Sequence, residues 1–342
     1  MRHPRTILAC AAALAALTAF TTTVPAATAH APQVPAGAWC VGDHGHSRIL
    51  TRHLQGSVGS TVGPDGALYV PEGIAGRITR IDPRTGHRSL FSDGLPKRVV
   101  EGFGGAVDVA FVHGTAYALV TLVGSDVGGS STVGIYRIDG RHKATVVADI
   151  GTWAIEHPPV PDFFVPSGVQ YALQPYRGDL LVTDGHHNRV LRIDLDGAVG
   201  ANVSEVIAFD DIVPTGLDLR GSTIYLAEAG PVPHLPRNGK VVTFTTSHPV
   251  AEEVASGARL NVDVELGAGH RLFALSQGRF PVGNDEGTPA APSTGALMRV
   301  NDDGTMTRVV RGLDRPTSLE IIGSTGYVVG LAGQVWKVTC LG

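Results

Sequence analysis

Carboxylates are the residues in this chain whose types and spacing could do chemistry. Three close short apolar strand-like runs: Glu72 follows Leu68-Tyr69-Val70, Asp184 follows Leu180-Leu181-Val182, and Glu228 follows Ile224-Tyr225-Leu226. At a strand end beside a pocket such a group can be a general acid, a base or a ligand. It can equally tie down its own turn by accepting backbone N–H groups, and Asp184-Gly185-His186-His187-Asn188-Arg189 has the composition of such a turn. A second set obeys a period of two. Aligning six apolar segments on Val62, Val109, Val169, Leu217, Val264 and Leu319 puts Asp108 and Asp263 one residue before the key position. Asp218, Glu265 and Glu320 fall one residue after it, on three consecutive segments. If those strands surround an axis, five carboxylates face it. Such a ring favours a bound cation, Ca²⁺ first among them because it takes oxygen ligands. Without a cation or water, the like charges would raise some of the pKa values. A hydrated, acid-lined pore holding no ion fits the same residues.

Other constellations carry less. His44-Gly45-His46 and His186-His187 could bind a transition metal, yet neither has Cys or carboxylate company at zinc-site spacing, so both read as surface residues. The Gly-rich stretch from Gly124 to Gly134 lacks the following helix and Lys-Ser/Thr of a phosphate loop. No Gly-x-Ser-x-Gly elbow occurs, which counts against an α/β-hydrolase triad.

The elements that must position these groups come from a repeat. Each unit has a short inner strand, a turn, a Leu-Tyr-Val-like second strand, a Gly-x-Ile-x-Arg-Ile-Asp-like third strand and a fourth ending near Gly-Leu. The second strands centre on Tyr69, Tyr117, Leu181, Tyr225, Phe273 and Tyr327, and each alternates apolar and polar residues as a half-buried strand requires. Six such units predict an all-β, six-bladed β-propeller with four-stranded antiparallel blades. The sixth unit stops after Gln334 to Thr339 and lacks its outer strand. Residues Arg48 to Leu54 resemble the missing strand, so the N-terminal strand is expected to close the last blade and remove the ring's open edges.

The head of the chain reads as an address. Arg2 and Arg5 precede the apolar run Ile7 to Phe20, and Ala29-His30-Ala31 offers a cleavage site, so residues 1–31 are expected to be a signal peptide. Residues 32–47 then form an N-terminal segment with Cys40, and residues 48–342 the propeller. Cleavage removes one of three cysteines and leaves Cys40 and Cys340, an even pair expected to bond outside the cell. Closing that 300-residue loop would stabilise the fold by roughly 5–6 kcal/mol in the chain-entropy picture. Cleavage also moves the formal net charge from −4 to −6, which argues against nucleic acid as a partner. No run approaches the length of a membrane span, so no membrane insertion is expected. A secreted monomer is the expectation.

Strand parity points to one functional face. The first-to-second and third-to-fourth turns are mostly short. The long insertions, Gly124 to Thr132, Gly151 to Pro166, Gly230 to Asn238 and Gly278 to Thr294, all emerge on the other side, where binding residues concentrate. The second of these carries Trp153, His157, Phe163 and Phe164, which could contact a ligand or simply cap the channel mouth.

Gly63-Pro64-Asp65-Gly66-Ala67-Leu68-Tyr69-Val70, with Glu72 and Gly76-Arg77-Ile78-Thr79-Arg80-Ile81-Asp82-Pro83, resembles the opening blade of the ScyD/ScyE family of exported β-propellers. Pro214-Thr215-Gly216-Leu217 and Val262-Asp263-Val264-Glu265-Leu266 fit the same pattern. The resemblance implies export and a propeller, and it carries no agreed catalytic residues. Gluconolactonase-like propellers share some of these phrases and hold a divalent cation with a Glu, an Asn and an Asp; their Asn follows a Pro, where this chain has Ser167, Thr215 and Thr317. A secreted binding module for a small molecule, glycan or protein is therefore the leading expectation, with no certain cofactor. A divalent-metal-dependent hydrolase or lactonase is the alternative, with Glu72 and Asp218 or Asp263 as a rearranged site.

Overall fold

The computed structural model describes residues 45–161, 163–199, 202–284 and 287–341. Among them, 24 strands form six four-stranded sheets, each wholly antiparallel. Five sheets use consecutive strands, as in blade 3, which runs Gln170–Tyr176, Asp179–Asp184, Arg189–Ile193 and Val203–Ala208. The sixth joins Pro316–Ile322, Thr325–Gly330 and Gln334–Thr339 to the N-terminal strand His46–Thr51. Ser47 lies opposite Val338 and Ile49 opposite Trp336. The closing strand begins two residues before the expected Arg48 and leaves the sheet at Thr51, so that Leu54 buries itself where blade 6 meets blade 1. That junction is also tied at its rim, where Tyr327 and Lys337 both donate to the carbonyl of Pro83 (3.0 and 3.1 Å). Cys40 lies outside the described residues, and so does its expected bridge to Cys340.

The core sits between blades rather than within them. Alternation along each strand sends one set of apolar side chains to each neighbouring blade, and burying both faces is what holds the ring together. Between blades 1 and 2, Tyr69 meets Phe91 and Phe111 edge-on, each at 4.8 Å, above Ile78, Val109 and Ala118.

Two inner strands differ in register from the sequence reading. Val182 is the blade 3 counterpart of Ala118, Leu226, Ala274 and Val328, and it pairs with Leu173 rather than Val169. Pro166-Ser167-Gly168-Val169 imitates Pro214-Thr215-Gly216-Leu217 but precedes the strand, with Gly168 at φ +75°. In blade 1, Thr61 pairs with Tyr69 as Glu320 pairs with Tyr327, so Thr61 takes the site assigned to Gly63. The Gly151 to Pro166 segment also opens with a short α-helix, Ile150–Glu156, in place of loop throughout. Asp149 caps it by accepting from the Thr152 N–H (2.9 Å) and hydroxyl (2.9 Å). Seven residues are too few for a helical period to show in sequence. No helix among the described residues is long and apolar enough to cross a membrane.

Candidate functional site

The axial carboxylates act as brackets between blades. Asp108 Oδ1 accepts from its neighbour Val109 N–H (2.8 Å), while Oδ2 accepts from Leu173 N–H (2.7 Å) in the next blade. Asp218 spans Leu219 (2.6 Å) and Leu266 (2.8 Å), and Asp263 spans Val264 (2.9 Å) and Leu319 (2.7 Å), by the same device. Glu265 accepts from Ile321 N–H (3.2 Å), and Glu320 accepts from Val62 N–H across the closing seam. Asp108 and Asp263 have room because the preceding blade offers glycine beside them. A Cβ on Gly59 would lie 2.2 Å from Asp108 Oδ1, and one on Gly216 would lie 1.9 Å from Asp263 Oδ1.

Crowding and burial perturb the whole ring. Burial, with Asp218 nearby, pushes Asp263 up to about 8. Burial and mutual repulsion raise Glu265 and Glu320, and burial raises Asp108 and Asp218. Among the described residues, no three His, Cys, Asp or Glu side chains form a group that could hold a metal ion. The donor chemistry explains this: all three aspartates spend both oxygens on backbone N–H groups that sew adjacent blades together. Two of the three Pro-flanked positions are likewise committed, while the Ser167 hydroxyl is buried without a partner among the described residues. Thr215 Oγ1 donates to Asn261 O (2.9 Å) and Thr317 Oγ1 to Val58 O (2.6 Å), each bridging to the following blade.

Tyr171, which the sequence reading passed over, crosses the channel. It stands on the inner strand of blade 3, and its hydroxyl donates to Thr317 O (2.8 Å) on blade 6, the blade opposite. Phe103 stacks on it at 6.0 Å and 3°. The available signal was an aromatic at an axis-facing register, hidden by the slipped alignment of blade 3.

Glu72, Asp184 and Glu228 occupy one equivalent place in blades 1, 3 and 4, each opposite a base that opens the third strand: Arg77, Arg189 and Lys240. Glu72 is fully engaged. Arg77 holds it through Nε (2.8 Å) and Nη2 (2.9 Å), Gln55 N–H donates at 2.7 Å, and the Thr79 hydroxyl also donates. Burial alone would raise its pKa, but these donors outweigh it and hold Glu72 below the usual range. Asp184 accepts from Val169 N–H (3.0 Å) and His187 N–H (3.4 Å), and lies 3.5 Å from the buried Arg189 Nε. It too is held low against the effect of burial.

Glu228 breaks the pattern. Its Lys240 turns away to Glu253 (2.7 Å), leaving the Glu228 carboxyl with no hydrogen bond among the described residues. Burial lifts it to about 7, with Lys240 pulling down and Glu253 pushing up. A carboxyl that titrates near neutrality, on the elaborated face, can donate or accept a proton there.

The aromatic loop is anchored from beneath. Trp153 lies 4.8 Å under the Arg189 guanidinium and stacks on His157 at 4.5 Å, and Arg189 Nη1 donates to His157 O (2.8 Å). His186 and His187, expected at the surface, are buried beneath this loop. His187 Nε2 bonds Val165 O (3.0 Å), and Arg189 Nη2 reaches His187 Nδ1 (2.9 Å). Phe163 and Phe164 meet His186 edge-on at 5.0 and 4.4 Å, and burial lowers His186 to about 4. His44 lies outside the described residues. Asp184, Trp153, His157 and Phe163 thus come together as one clamp on the loop. Glu72 and Glu228 stand apart in their own blades.

Comparison with solved structures follows the fold. Virginiamycin B lyase from Staphylococcus aureus matches with a TM-score of 0.52 at 15% identity, over 86% of this chain and 98% of that one. A gluconolactonase from Xanthomonas campestris gives 0.59 at 12% identity, over 86% and 89%. The PQQ-bound aldose sugar dehydrogenase from Streptomyces coelicolor gives 0.57 at 14% identity, over 87% and 99%. The likeness is one of fold. No protein family and no curated protein matches the sequence.

Proposed function

We propose that this chain is a secreted binding module of the ScyD/ScyE type that engages its ligand through the elaborated face. The observation that carries the reading is where apolar surface is left exposed. Of nine exposed large hydrophobic residues among those described, seven lie in loops of that face: Ile74, Val99, Ile155, Val160, Phe164, Val232 and Val282. Val160 is 99% exposed and Phe164 76%. Apolar side chains gathered on one side of a monomer mark an interaction surface more than chance scatter does. The clamp around Trp153 supports the reading, because it presents Phe164 and Ile155 from a loop fixed by Arg189 and His187. Export, removal of residues 1–31 and a Cys40–Cys340 bridge belong to the same proposal.

The test is a paired screen of glycans and small molecules by array and thermal shift. A ligand should be retained by Val199→Ser on the opposite face and lost by the Ile155→Ser/Phe164→Ser double variant. A ligand bound equally by both, or no ligand from either screen, defeats the reading.

Glu228 favours a second reading, hydrolysis of a small ester or lactone with Glu228 moving the proton. Turnover of glucono-δ-lactone that is lost in Glu228→Gln would support it. Equal rates in both proteins would remove it.

A further inference from the structure

The geometry points to an oxyanion-binding pocket between blades 4 and 5, built for a ligand with an apolar body and a carboxylate, sulfate or phosphate group. It lies on the elaborated face and deepens the binding reading above. The pocket has a volume of about 540 Å³ and is lined by Arg259, Arg279 and Arg308, with no acidic residue in its wall among the described residues. That volume is within the range of small-molecule sites.

What marks this pocket is that three guanidinium groups without an ion pair share one concavity. Arg77, Arg80, Arg137, Arg189, Arg192 and Arg315 all face carboxylates within ion-pair range. The side chains of Arg259, Arg279 and Arg308 make no ion pair or hydrogen bond among the described residues, although the chain as a whole is acidic. Three like charges around one concavity repel, and a shared anion relieves that repulsion through bidentate hydrogen bonds. Ala258, Ala296, Met298 and Pro236 line the same pocket and suit an apolar body. Its wall is backbone-rich at Gly257 (φ +132°) and Gly278 (φ +127°), and at Gly278 a Cβ would strike Thr294 Oγ1 at 2.2 Å. Thr294 Oγ1 accepts from Arg279 N–H (2.9 Å) and thereby fixes the backbone from which that guanidinium projects.

The experiment uses the mature protein at low ionic strength, titrated by calorimetry with 2-naphthyl phosphate, 2-naphthyl sulfate, 2-naphthoate and neutral 2-naphthol. At least one anion should bind tenfold or more tighter than 2-naphthol, and the ranking of the three names the group. Arg259→Gln, Arg279→Gln and Arg308→Gln should each weaken that anion about tenfold, as loss of a charge-assisted hydrogen bond does. Arg220→Gln, in a turn on the opposite face, should bind as the parent does. Equal affinity for 2-naphthol and all three anions overturns the site, as does an anion bound unchanged by the three pocket variants. No binding at millimolar ligand overturns it as well. The Ile155→Ser/Phe164→Ser protein should bind the anions normally. If the anions fail while that double variant still loses a ligand from the screens, the pocket falls and the face reading stands.

Discussion

The Tyr171 hydroxyl donates to the backbone carbonyl of Thr317 at 2.8 Å, joining blade 3 to blade 6 across the centre of the ring, 146 residues away in sequence. Propeller blades ordinarily touch only their neighbours, so this contact braces opposite walls. Tyr171 packs against core clusters on both sides of the molecule.

Tyr171→Phe should therefore lower stability by about 1–2 kcal/mol, the cost of one lost bond plus a carbonyl left without its donor. Urea unfolding with an unchanged slope would check it. A free energy equal to that of the parent would mean that water replaces the hydroxyl.

Glycine at 216 is required by its neighbour rather than by its own turn. Gly216→Ala would place a methyl 1.9 Å from Asp263 Oδ1 and 2.7 Å from Asp263 Cα. The Asp263 bracket to Leu319 must then shift or break. A loss of roughly 3 kcal/mol is expected from overpacking at a backbone contact. Thermal unfolding should show the fall, and Gly140→Ala, with nothing within 4 Å of its Cβ and no left-handed backbone, is the comparison.

Much of this architecture was legible because a propeller writes each blade with the same alternation. Six second strands centred on Tyr, Leu or Phe located every sheet, and the stunted sixth unit announced its borrowed strand. The inner strands were harder. Their bulges and the decoy Pro166-Ser167-Gly168-Val169 shifted blade 3 by four residues, and with it went the sight of Tyr171. The axial carboxylates were found by type and register, but their role was not, because accepting a neighbour's N–H leaves no mark in composition. Glu72, Asp184 and Glu228 looked alike in sequence. Only the rotation of Lys240 towards Glu253 separates the third from the other two.

Asp184 and Arg189 form a buried pair at the base of the aromatic loop, where Asp184 Oδ2 and Arg189 Nε have no hydrogen-bond partner of their own. Asp184→Asn would leave the buried guanidinium only the rim carboxylate of Glu205, 3.8 Å from Nη1. The expected loss is about 3–5 kcal/mol, as for breaking one side of a buried ion pair. Limited proteolysis should also cut the 150–166 segment first in this variant. Cutting at the parent rate would show that the loop is held by other contacts.

Reduction tests the proposed clasp at the ends of the chain. Peptide mapping of the mature protein without reductant should recover Cys40 and Cys340 in one cross-linked fragment. Cys340→Ser should cost several kcal/mol, up to roughly 5 in the chain-entropy picture. Two separate, alkylatable cysteine peptides would rule the bridge out.

Glu228 makes stability depend on pH with a definite sign. Its carboxyl moves from an ordinary 4.5 to about 7 on folding, so the folded state prefers the protonated form. The stabilising contribution is fully present below about pH 4.5 and is lost as pH rises through about 7. The difference between those limits is roughly 3 kcal/mol at 1.36 kcal/mol per pKa unit. Glu228→Gln keeps the shape and cannot ionise, so its own share of the pH dependence should vanish. The variant should match the parent near pH 4.5 and exceed it above pH 8, measured by chemical unfolding across that range. Asp263, raised by burial from an ordinary 3.8 to about 8, adds the same fall across that window in both proteins and so cancels in the comparison. Parallel curves for the two proteins would show that Lys240 swings back to neutralise Glu228 as it ionises.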